Sequence, residues 1–466
     1  MRSVIHAASR CRENGAVTAS RHGAGPGSEM SLRKKFFSYT IPAIISMWMF
    51  SIYTIVDGMF VAAGVNSLAL AGVNIAMPFV NLVLGVSLLF STGAAAVISI
   101  YLGRGELPAA RQVYMTILAV LIVVGLAITG LAVAFMDPLV EFLGATPNLY
   151  GYTRDYLETV LYFAVFQILA YFFEVMSRAD GYPKVATASV AIAGVLNVVL
   201  DYFFVMVFEM GVAGAAWATG ISQAASVVFL VAHILLSKRQ LTFCRFRFSL
   251  RAVIDSVPLG VADSITEFSV GIVIFLFNHR ILEIIGEEAL VSYTVIAYVN
   301  TLVLMTMFGL AQGMLPLVSF HHGSNEPGKV RALLSLALKT AVGCSLGWFV
   351  LCELFTGTLV GLFIDQGLEP ALFADTVADF RIYAVSFLFM GVNVVLSTWF
   401  SAVERPAFAI AMALARSLVV IAVTLYALSA LFGPLGIWLS AGVSEILCLF
   451  GGLLLYRRHA EKTVTF

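Results

Sequence analysis

Residues 99–113 read SIYLGRGELPAARQV and residues 319–333 read SFHHGSNEPGKVRAL, and the two segments match at a spacing of 220 residues. The matched pairs are Ser99 with Ser319, Gly103 with Gly323, Glu106 with Glu326, and Arg111 with Arg331. Two further segments, GVAGAAW from Gly211 and GPLGIW from Gly433, match at a spacing of 222 residues. Two matches at nearly one spacing predict that the chain contains two copies of one unit.

The composition is that of a membrane protein. The chain has 466 residues, of which 60% are hydrophobic and 12% are charged, and its mean hydropathy is +0.96. A soluble globular protein carries roughly 25% charged residues. The net charge of zero argues against a nucleic-acid partner. The cysteines form no CxxC pair, so we expect neither a disulfide framework nor a metal site; they are Cys11, Cys244, Cys344, Cys352 and Cys448.

Apolar segments long enough to cross a bilayer, which takes about 20 residues, occur twelve times. They lie at about 39–63, 68–100, 113–136, 157–179, 185–208, 212–237, 253–281, 288–320, 332–355, 375–402, 407–431 and 435–456. We therefore predict an all-α integral membrane protein with twelve transmembrane helices in two six-helix lobes. Because six is even, both copies have the same orientation, which is a parallel repeat of the kind found in some transporters.

Basic residues orient the predicted spans. With the N-terminus in the cytoplasm, fifteen basic residues lie in inside loops and three in outside loops, so both termini are expected in the cytoplasm. The inside set is Arg104, Arg111, Arg178, Lys184, Lys238, Arg239, Arg245, Arg247, Arg251, Lys329, Arg331, Arg405, Arg457, Arg458 and Lys462. The outside set is Arg154, Arg280 and Arg381.

The domain boundaries follow from these spans. Residues 1–35 are predicted to be a disordered basic segment. Because MSLRKKFF at Met30 has the pattern of a translation start before a membrane helix, we expect residues 1–29 to be disordered or not translated in the cell, and a functional tail is the alternative. Residues 36–237 form the N-lobe and residues 253–458 the C-lobe. The basic linker 238–252 is expected to lie on the lipid headgroups, and regulation by anionic lipid is the alternative.

Four oxygen-bearing side chains share one predicted layer in the outer half of the N-lobe. Asp57 lies in the first span, Asn197 and Asp201 lie one turn apart in the fifth, and Thr219 lies in the sixth. Two carboxyls in a low dielectric cannot both ionise cheaply, so the layer is predicted to bind a proton or a sodium ion. The alternative is a polar cluster that only joins helices.

Other ionisable residues within the spans are candidates for a substrate cavity, because such groups usually face a cavity or a partner. The candidates are Glu174, Asp263, Glu267 and Arg416. An ion pair between Asp263 and Arg416 is one alternative, and a pair between Glu174 and Arg178 is another. Seven acids against one deep base, Arg416, favour a cationic cargo; the acids are Asp57, Glu174, Asp201, Asp263, Glu267, Glu353 and Glu445.

Four motifs resemble those of the multidrug and toxic compound extrusion (MATE) family. They are TIPAIISMWMFSIYTIVDGMFVA in span 1, SRADGYPKVA after span 4, LNVVLD in span 5 and GAAWAT in span 6, and the resemblance covers about residues 36–458. It implies efflux of organic, often cationic, compounds through a bacterial cytoplasmic membrane by a protein that we expect to be monomeric. It also implies no cofactor, only H⁺ or Na⁺ as coupling ion at Asp57, Asn197, Asp201 and Thr219, and a bend of helix 1 at Pro42.

Some members of that family use a glutamate in span 7, which Glu267 resembles, whereas Glu174 stands where relatives often have asparagine. A lipid-linked oligosaccharide flippase of the same superfamily is the alternative function, but a pyrophosphate cleft needs several basic groups and Arg416 stands alone. An intramembrane enzyme is a more remote alternative, since the spans contain no HExxH or GxSxG motif. A channel is disfavoured because paired lobes suit alternating access.

Overall fold

The computed structural model describes residues 31–237, 239–364 and 366–464. This part of the chain contains twelve helices that are long and apolar enough to cross a membrane, which confirms the predicted all-α membrane fold. We number them α1 to α12: Leu32–Gly64, Leu68–Gly103, Leu107–Ala134, Tyr150–Ala179, Pro183–Val207, Gly211–Leu236, Leu250–Ile284, Glu288–Gly323, Pro327–Val360, Pro370–Ala402, Pro406–Phe432 and Pro434–Arg458. Residues 1–30 of the predicted disordered segment 1–35 lie outside the described residues. Helix α1 begins at Leu32, so the last part of that segment is helical.

Local sequence explains where the helices begin. Ser31 caps α1 by accepting a hydrogen bond from the backbone N–H of Lys34 at 3.4 Å, and Asn66 caps α2 by accepting from Ala69 N–H at 2.7 Å. Such side chains satisfy backbone donors that have no partner inside the helix. Proline occupies the first position of other helices, including Pro183 in α5 and Pro406 in α11, where its missing N–H costs nothing.

The backbone repeats between the two halves, as the sequence spacing predicts. Left-handed residues occur in equivalent turns in three pairs, which are Gly105 and Asn325, Gly181 and Glu404, and Gly211 and Gly433. Both α5 and α11 also contain a π-helical segment, but Tyr202–Val207 begins 19 residues after Pro183 and Ala415–Val419 only 9 residues after Pro406, so these segments are not equivalent. The three pairs of matched turns show that α1–α6 and α7–α12 are two copies of one unit.

The two lobes meet through helices that cross at glycines. Helix α1 packs on α8, and α2 packs on both α7 and α8. A methyl group at Gly103 would overlap the carbonyl oxygen of Phe320, and a methyl group at Gly323 would overlap that of Ile100. These contacts are related by the 220-residue repeat, so the end of the bundle that holds Gly103 and Gly323, here called the base, lies on the axis between the lobes.

Polar contacts reinforce the contact at the base. The carboxylate of Glu404 lies 3.5 Å from Arg104 Nη2 of the other lobe and 3.4 Å from His322 Nε2. The hydrogen bond with His322 and the charge of Arg104 hold the pKa of Glu404 below its usual range, so this carboxylate stays charged at neutral pH. Ser324 also donates to the carbonyl oxygen of Gly103 at 2.9 Å. The base of the molecule is therefore closed in this structure.

The first part of the linker between the lobes is anchored on the N-lobe, whereas contact of the linker with lipid headgroups stays a prediction. Leu241 is buried, and its N–H donates to Asp180 at 3.1 Å. The guanidinium of Arg239 is also buried, 3.6 Å from Asp180 and 3.9 Å from the centre of the Tyr182 ring. Burial raises the pKa of Asp180 to about 6, which leaves it ionised at neutral pH to pair with Arg239. The first part of the linker therefore moves with the N-lobe.

We expect Gly103→Ala to open the base. The added methyl group must push α2 away from Phe320 O, and overpacking of this kind costs about 1–3 kcal/mol. A cysteine placed at buried Ile100, in a chain without its native cysteines, should then react with a maleimide about tenfold faster. Gly130→Ala is the control because a methyl group there meets no atom within 4 Å. Equal labelling rates in the two variants would contradict the expectation.

Candidate functional site

The four residues predicted for the N-lobe layer come together in the structure. Asp57 of α1, Asn197 of α5 and Asp201 of α5 are all buried, with exposed fractions of 9%, 1% and 0%. The amide of Asn197 donates to the hydroxyl of Thr219 on α6 at 3.2 Å. The carboxyl groups of Asp57 and Asp201 lie within electrostatic range of each other. Three helices therefore contribute to one polar cluster.

Several oxygens of this cluster are buried without a hydrogen-bond partner among the described residues. They are Oδ1 of Asp57, Oδ1 of Asn197 and both carboxylate oxygens of Asp201. Leaving such groups unpaired in an apolar interior costs several kcal/mol, and no basic side chain of the described residues forms an ion pair with either aspartate. The oxygens of this cluster therefore need a positive charge or a hydrogen-bond donor that the described residues do not supply.

A proton or a small cation meets that requirement. Carboxylate, amide and hydroxyl oxygens are the ligands that hard cations such as Na⁺ prefer. One proton shared between Asp57 and Asp201 would equally remove the repulsion between two adjacent carboxylates. The orphaned oxygens fit both ions, and the donor set alone does not choose between them.

The structure adds three neighbours that sequence reasoning missed. Tyr53 and Tyr156 are buried within electrostatic range of Asp57, and Gln223 donates to the Tyr53 hydroxyl at 3.2 Å. Tyr53 lies one turn before Asp57, and Gln223 one turn after Thr219, so helical spacing contained a signal for both. Tyr156 comes from α4, and nothing in its local sequence points to the cluster.

A separate cavity of about 120 Å³ lies between the lobes. Its walls come from α1, α2, α4 and α5 of the N-lobe and from α7 and α8 of the C-lobe. The lining residues are Ser46, Met47, Phe50, Leu84, Leu88, Tyr171, Glu174, Val190, Asp263, Glu267, Met305, Phe308 and Gln312. Apolar and aromatic walls with a few polar groups are typical of small-molecule sites. We call this the central cavity.

Three predicted residues line the central cavity, each with a different environment. Glu174 forms a buried ion pair with Arg178, with a 2.7 Å distance from Nη1 to Oε1. Asp263 accepts a hydrogen bond from Gln312 at 3.3 Å. Glu267 is half-buried, and no hydrogen bond or ion pair engages it within the described part of the chain. Of the three carboxylates, that of Glu267 is therefore the most available to a ligand.

Arg416 lies elsewhere, so the ion pair with Asp263 that its depth allowed does not form. Its Nε donates to Oε1 of Glu445 at 2.9 Å, and the pair lines a second cavity of about 150 Å³ inside the C-lobe. Sequence depth placed Arg416 and Asp263 at one level but contained no information on which face of α11 meets α7.

Pro42 lies within α1, which is one helix from Leu32 to Gly64. Its carbonyl oxygen accepts hydrogen bonds from Ser46 at 3.1 Å and from Thr187 of α5 at 2.8 Å. The hydrogen bond from Thr187 links α5 to α1 at Pro42. Ser46, one turn further along α1, lines the central cavity. The bend at Pro42 stays a prediction.

We expect Arg178→Met to destabilise the protein strongly, because it leaves the buried carboxylate of Glu174 without its partner. Breaking a buried ion pair on one side costs about 3–5 kcal/mol. The double variant Glu174→Gln/Arg178→Met should recover most of the lost melting temperature in detergent, since no charge is then left unpaired. A double variant as unstable as Arg178→Met alone would show that Arg178 acts through other contacts.

Comparison with known proteins bears on the family. The sequence profile of the MatE family matches residues 42–203 and 261–426, one match in each lobe. Multidrug export protein MepA of Staphylococcus aureus (strain bovine RF122 / ET3-1) is 26% identical over 442 residues, covering 91% of this chain and 93% of MepA. A crystal structure of MATE in complex with MaL6 has a TM-score of 0.89 at 20% identity, covering 93% of this chain and 98% of that one.

An outward-facing structure of a multidrug resistance MATE family transporter of the MOP superfamily has a TM-score of 0.88 at 20% identity, covering 93% and 97% of the two chains. These structures share the fold, and the two profile matches together span more than half of the chain and reproduce its internal repeat. The chain therefore belongs to the MatE family of multidrug efflux transporters.

Proposed function

We propose that this protein is a secondary active antiporter that exports small organic cations across the bacterial cytoplasmic membrane in exchange for H⁺ or Na⁺. The observation that carries the proposal is the set of buried, unpartnered oxygens at Asp57, Asn197 and Asp201. A site of this kind takes up a positive ion, and the energy of ion entry is then available to drive a change in helix packing. The relatives named MepA are multidrug exporters, which agrees with the proposal.

Two helices connect the ion cluster to the central cavity. Helix α1 carries Asp57 in the cluster and Met47 and Phe50 in the cavity wall, whereas α5 carries Asn197 in the cluster and Val190 in the wall. Ion binding that draws α1 toward α5 therefore changes the shape of the cavity. Both helices are packed on each other, so such a movement needs no intermediate element.

The central cavity favours a cationic, partly apolar cargo. Its lining contains the carboxylates of Glu174, Asp263 and Glu267 and no basic residue among the described ones. Met47 and Phe308 supply adaptable apolar and aromatic contacts of the kind that promiscuous binding surfaces use. The absence of basic residues from this lining disfavours a pyrophosphate-linked sugar as cargo.

The positive-inside distribution supports a cytoplasmic base. Arg104, Arg111, Arg251 and Arg405 lie at or near the base, where the chain turns between spans. In that orientation the closed base separates the central cavity from the cytoplasm. Exchange then requires the contact at Gly103 and Gly323 to open when cargo enters and to close when cargo leaves.

We expect Asp57→Asn to abolish gradient-driven transport. In proteoliposomes we impose either a pH gradient without sodium or a sodium gradient without a pH difference. The wild-type chain should transport ethidium under one of them, and the gradient that drives transport identifies the coupling ion. Asp57→Asn removes the charge that the ion neutralises, so its rate should fall to that of empty liposomes. The control is Asp137→Asn. Asp137 is an exposed residue between α3 and α4, and it pairs with Arg154. Gradient-independent efflux, or full activity of Asp57→Asn, would refute the coupling.

We expect Glu267→Gln to weaken the binding of ethidium by about tenfold, since one lost charge contact is worth about 1.4 kcal/mol. Fluorescence titration of purified protein in detergent measures the Kd without any gradient. The matched control is Glu353→Gln. The carboxylate of Glu353 lies 3.6 Å from Arg381 Nε, and neither residue lines the central cavity. An unchanged Kd in Glu267→Gln would place the cation elsewhere.

A further inference from the structure

The Arg416–Glu445 pair is enclosed in the C-lobe with both carboxylate oxygens engaged. Oε1 accepts from Arg416 Nε at 2.9 Å, and Oε2 accepts from the Asn393 amide at 2.6 Å. The side chains of Arg416 and Glu445 are 12% and 9% exposed. Unlike Asp201 in the N-lobe, Glu445 therefore has an internal donor for each oxygen and a full positive charge beside it.

The repeat shows that this pair adjoins the C-lobe equivalent of the ion cluster, since Arg416 aligns with Ala193, one turn before Asn197. Helices α6 and α12 align at the 222-residue spacing of Gly211 and Gly433, which places Glu445 at Gln223, a neighbour of the cluster. Phe277 of α7 and Ala441 of α12 occupy the positions of Asp57 and Thr219, and both line the C-lobe cavity. Helices α5 and α11, aligned at Pro183 and Pro406, place Thr424 at Asp201. The cation ligands of the N-lobe thus have no counterpart in the C-lobe.

The backbone of α11 also departs from a regular helix at this site. Arg416 lies within the π-helical segment Ala415–Val419, and in the other lobe the π-helical segment of α5 directly follows Asp201. A π-helical turn inserts an extra residue and is frequent at functional sites. The two segments lie at different positions of the repeat, since Ala415 aligns with Ile192 rather than with Tyr202.

We infer that the guanidinium of Arg416 is a resident cation in the C-lobe copy of the ion site, so that ion binding during transport is confined to the N-lobe. This inference rests on the proposed ion coupling. Arginine keeps its proton in proteins, so its charge cannot leave Glu445 as a proton or sodium ion can. Arg416 acts as a positioning residue that keeps the Glu445 carboxylate paired while the N-lobe site loads and releases its ion.

Five helices, α7, α8, α10, α11 and α12, line the cavity that holds the pair, and Tyr293 of α8 is one titratable group in its wall. Asn393 and Tyr383 lie on α10, Arg416 on α11, and Cys448 on the same helix as Glu445. Of these groups only Arg416 is a cation, within the described residues. Replacing it with an uncharged side chain therefore leaves Glu445 to take up a proton or a metal cation, because an isolated buried carboxylate is costly.

The test uses a chain whose N-lobe site is silenced by Asp57→Asn and Asp201→Asn. In that background, adding Arg416→Met should create a rise in melting temperature of about 2 °C or more when sodium replaces choline, or when the pH is lowered. Arg416→Lys, which keeps a charge, should show no such gain. Adding Glu445→Gln to Arg416→Met should remove the gain, since the carboxylate that binds the ion is then absent.

Three results would overturn the inference. The first is a rise in melting temperature with sodium, or an extra proton uptake, in the silenced chain with Arg416 intact. The others are a rise in Arg416→Lys equal to that in Arg416→Met, and a rise that persists after Glu445→Gln is added. If Arg416→Met does not fold, the uncharged pair Arg416→Met/Glu445→Gln in an otherwise wild-type chain decides. Its ratio of ions to ethidium moved should equal that of the wild type, and a lower ratio would show that the C-lobe carries an ion.

These outcomes are separate from failure of the proposed function. If the wild-type chain shows no ion response that Asp57→Asn abolishes, the coupling proposal fails at the N-lobe. The measurements in the silenced chain report on Glu445 through the difference that Glu445→Gln makes, and they are made without transport.

Discussion

The close crossing of helices between the lobes is the constraint on which the rest of the structure depends. Four glycines allow this crossing, because a methyl group at any of them would overlap a backbone carbonyl oxygen of the facing helix. They are Gly93, Gly260, Gly103 and Gly323. Small residues allow this approach inside a membrane, where helices gain little from excluding lipid. Because the lobes touch there, the base is closed and the central cavity lies above the contact.

The two copies of the fold have diverged in charge rather than in shape. The N-lobe cluster contains Asp57 and Asp201 without a described counter-charge, whereas the corresponding region of the C-lobe contains a carboxylate that is already neutralised by Arg416. In the proposed cycle the duplicated helices thus present one site that takes up an ion and one that does not. Helices α1 and α5 contribute residues to both the N-lobe cluster and the central cavity, so ion binding in that cycle acts on the cavity through the N-lobe.

Local spacing explains which predictions from sequence agree with the structure. Asn197 and Asp201, or Glu174 and Arg178, are four residues apart on one helix and must share a face. Contacts between helices are harder to derive, because similar depth does not define which faces meet. Arg416 pairs with Glu445 rather than with Asp263 for this reason. The start of the linker packs against Asp180 because Leu241 and Arg239 are buried there, a contact that its basic composition does not predict.

By itself the sequence determined the twelve apolar helices, the duplication and the membership of Asp57, Asn197, Asp201 and Thr219 in one layer. These properties depend on hydrophobic length, on repeated spacing and on helical periodicity, all of which are local or one-dimensional. Only the tertiary structure decided that Tyr156 lies within electrostatic range of Asp57, that the carboxylate oxygens of Asp201 have no hydrogen-bond donor among the described residues, and that Arg416 pairs with Glu445 of its own lobe. Each of these depends on distances between helices that are far apart in the chain, where packing rather than periodicity selects the neighbours.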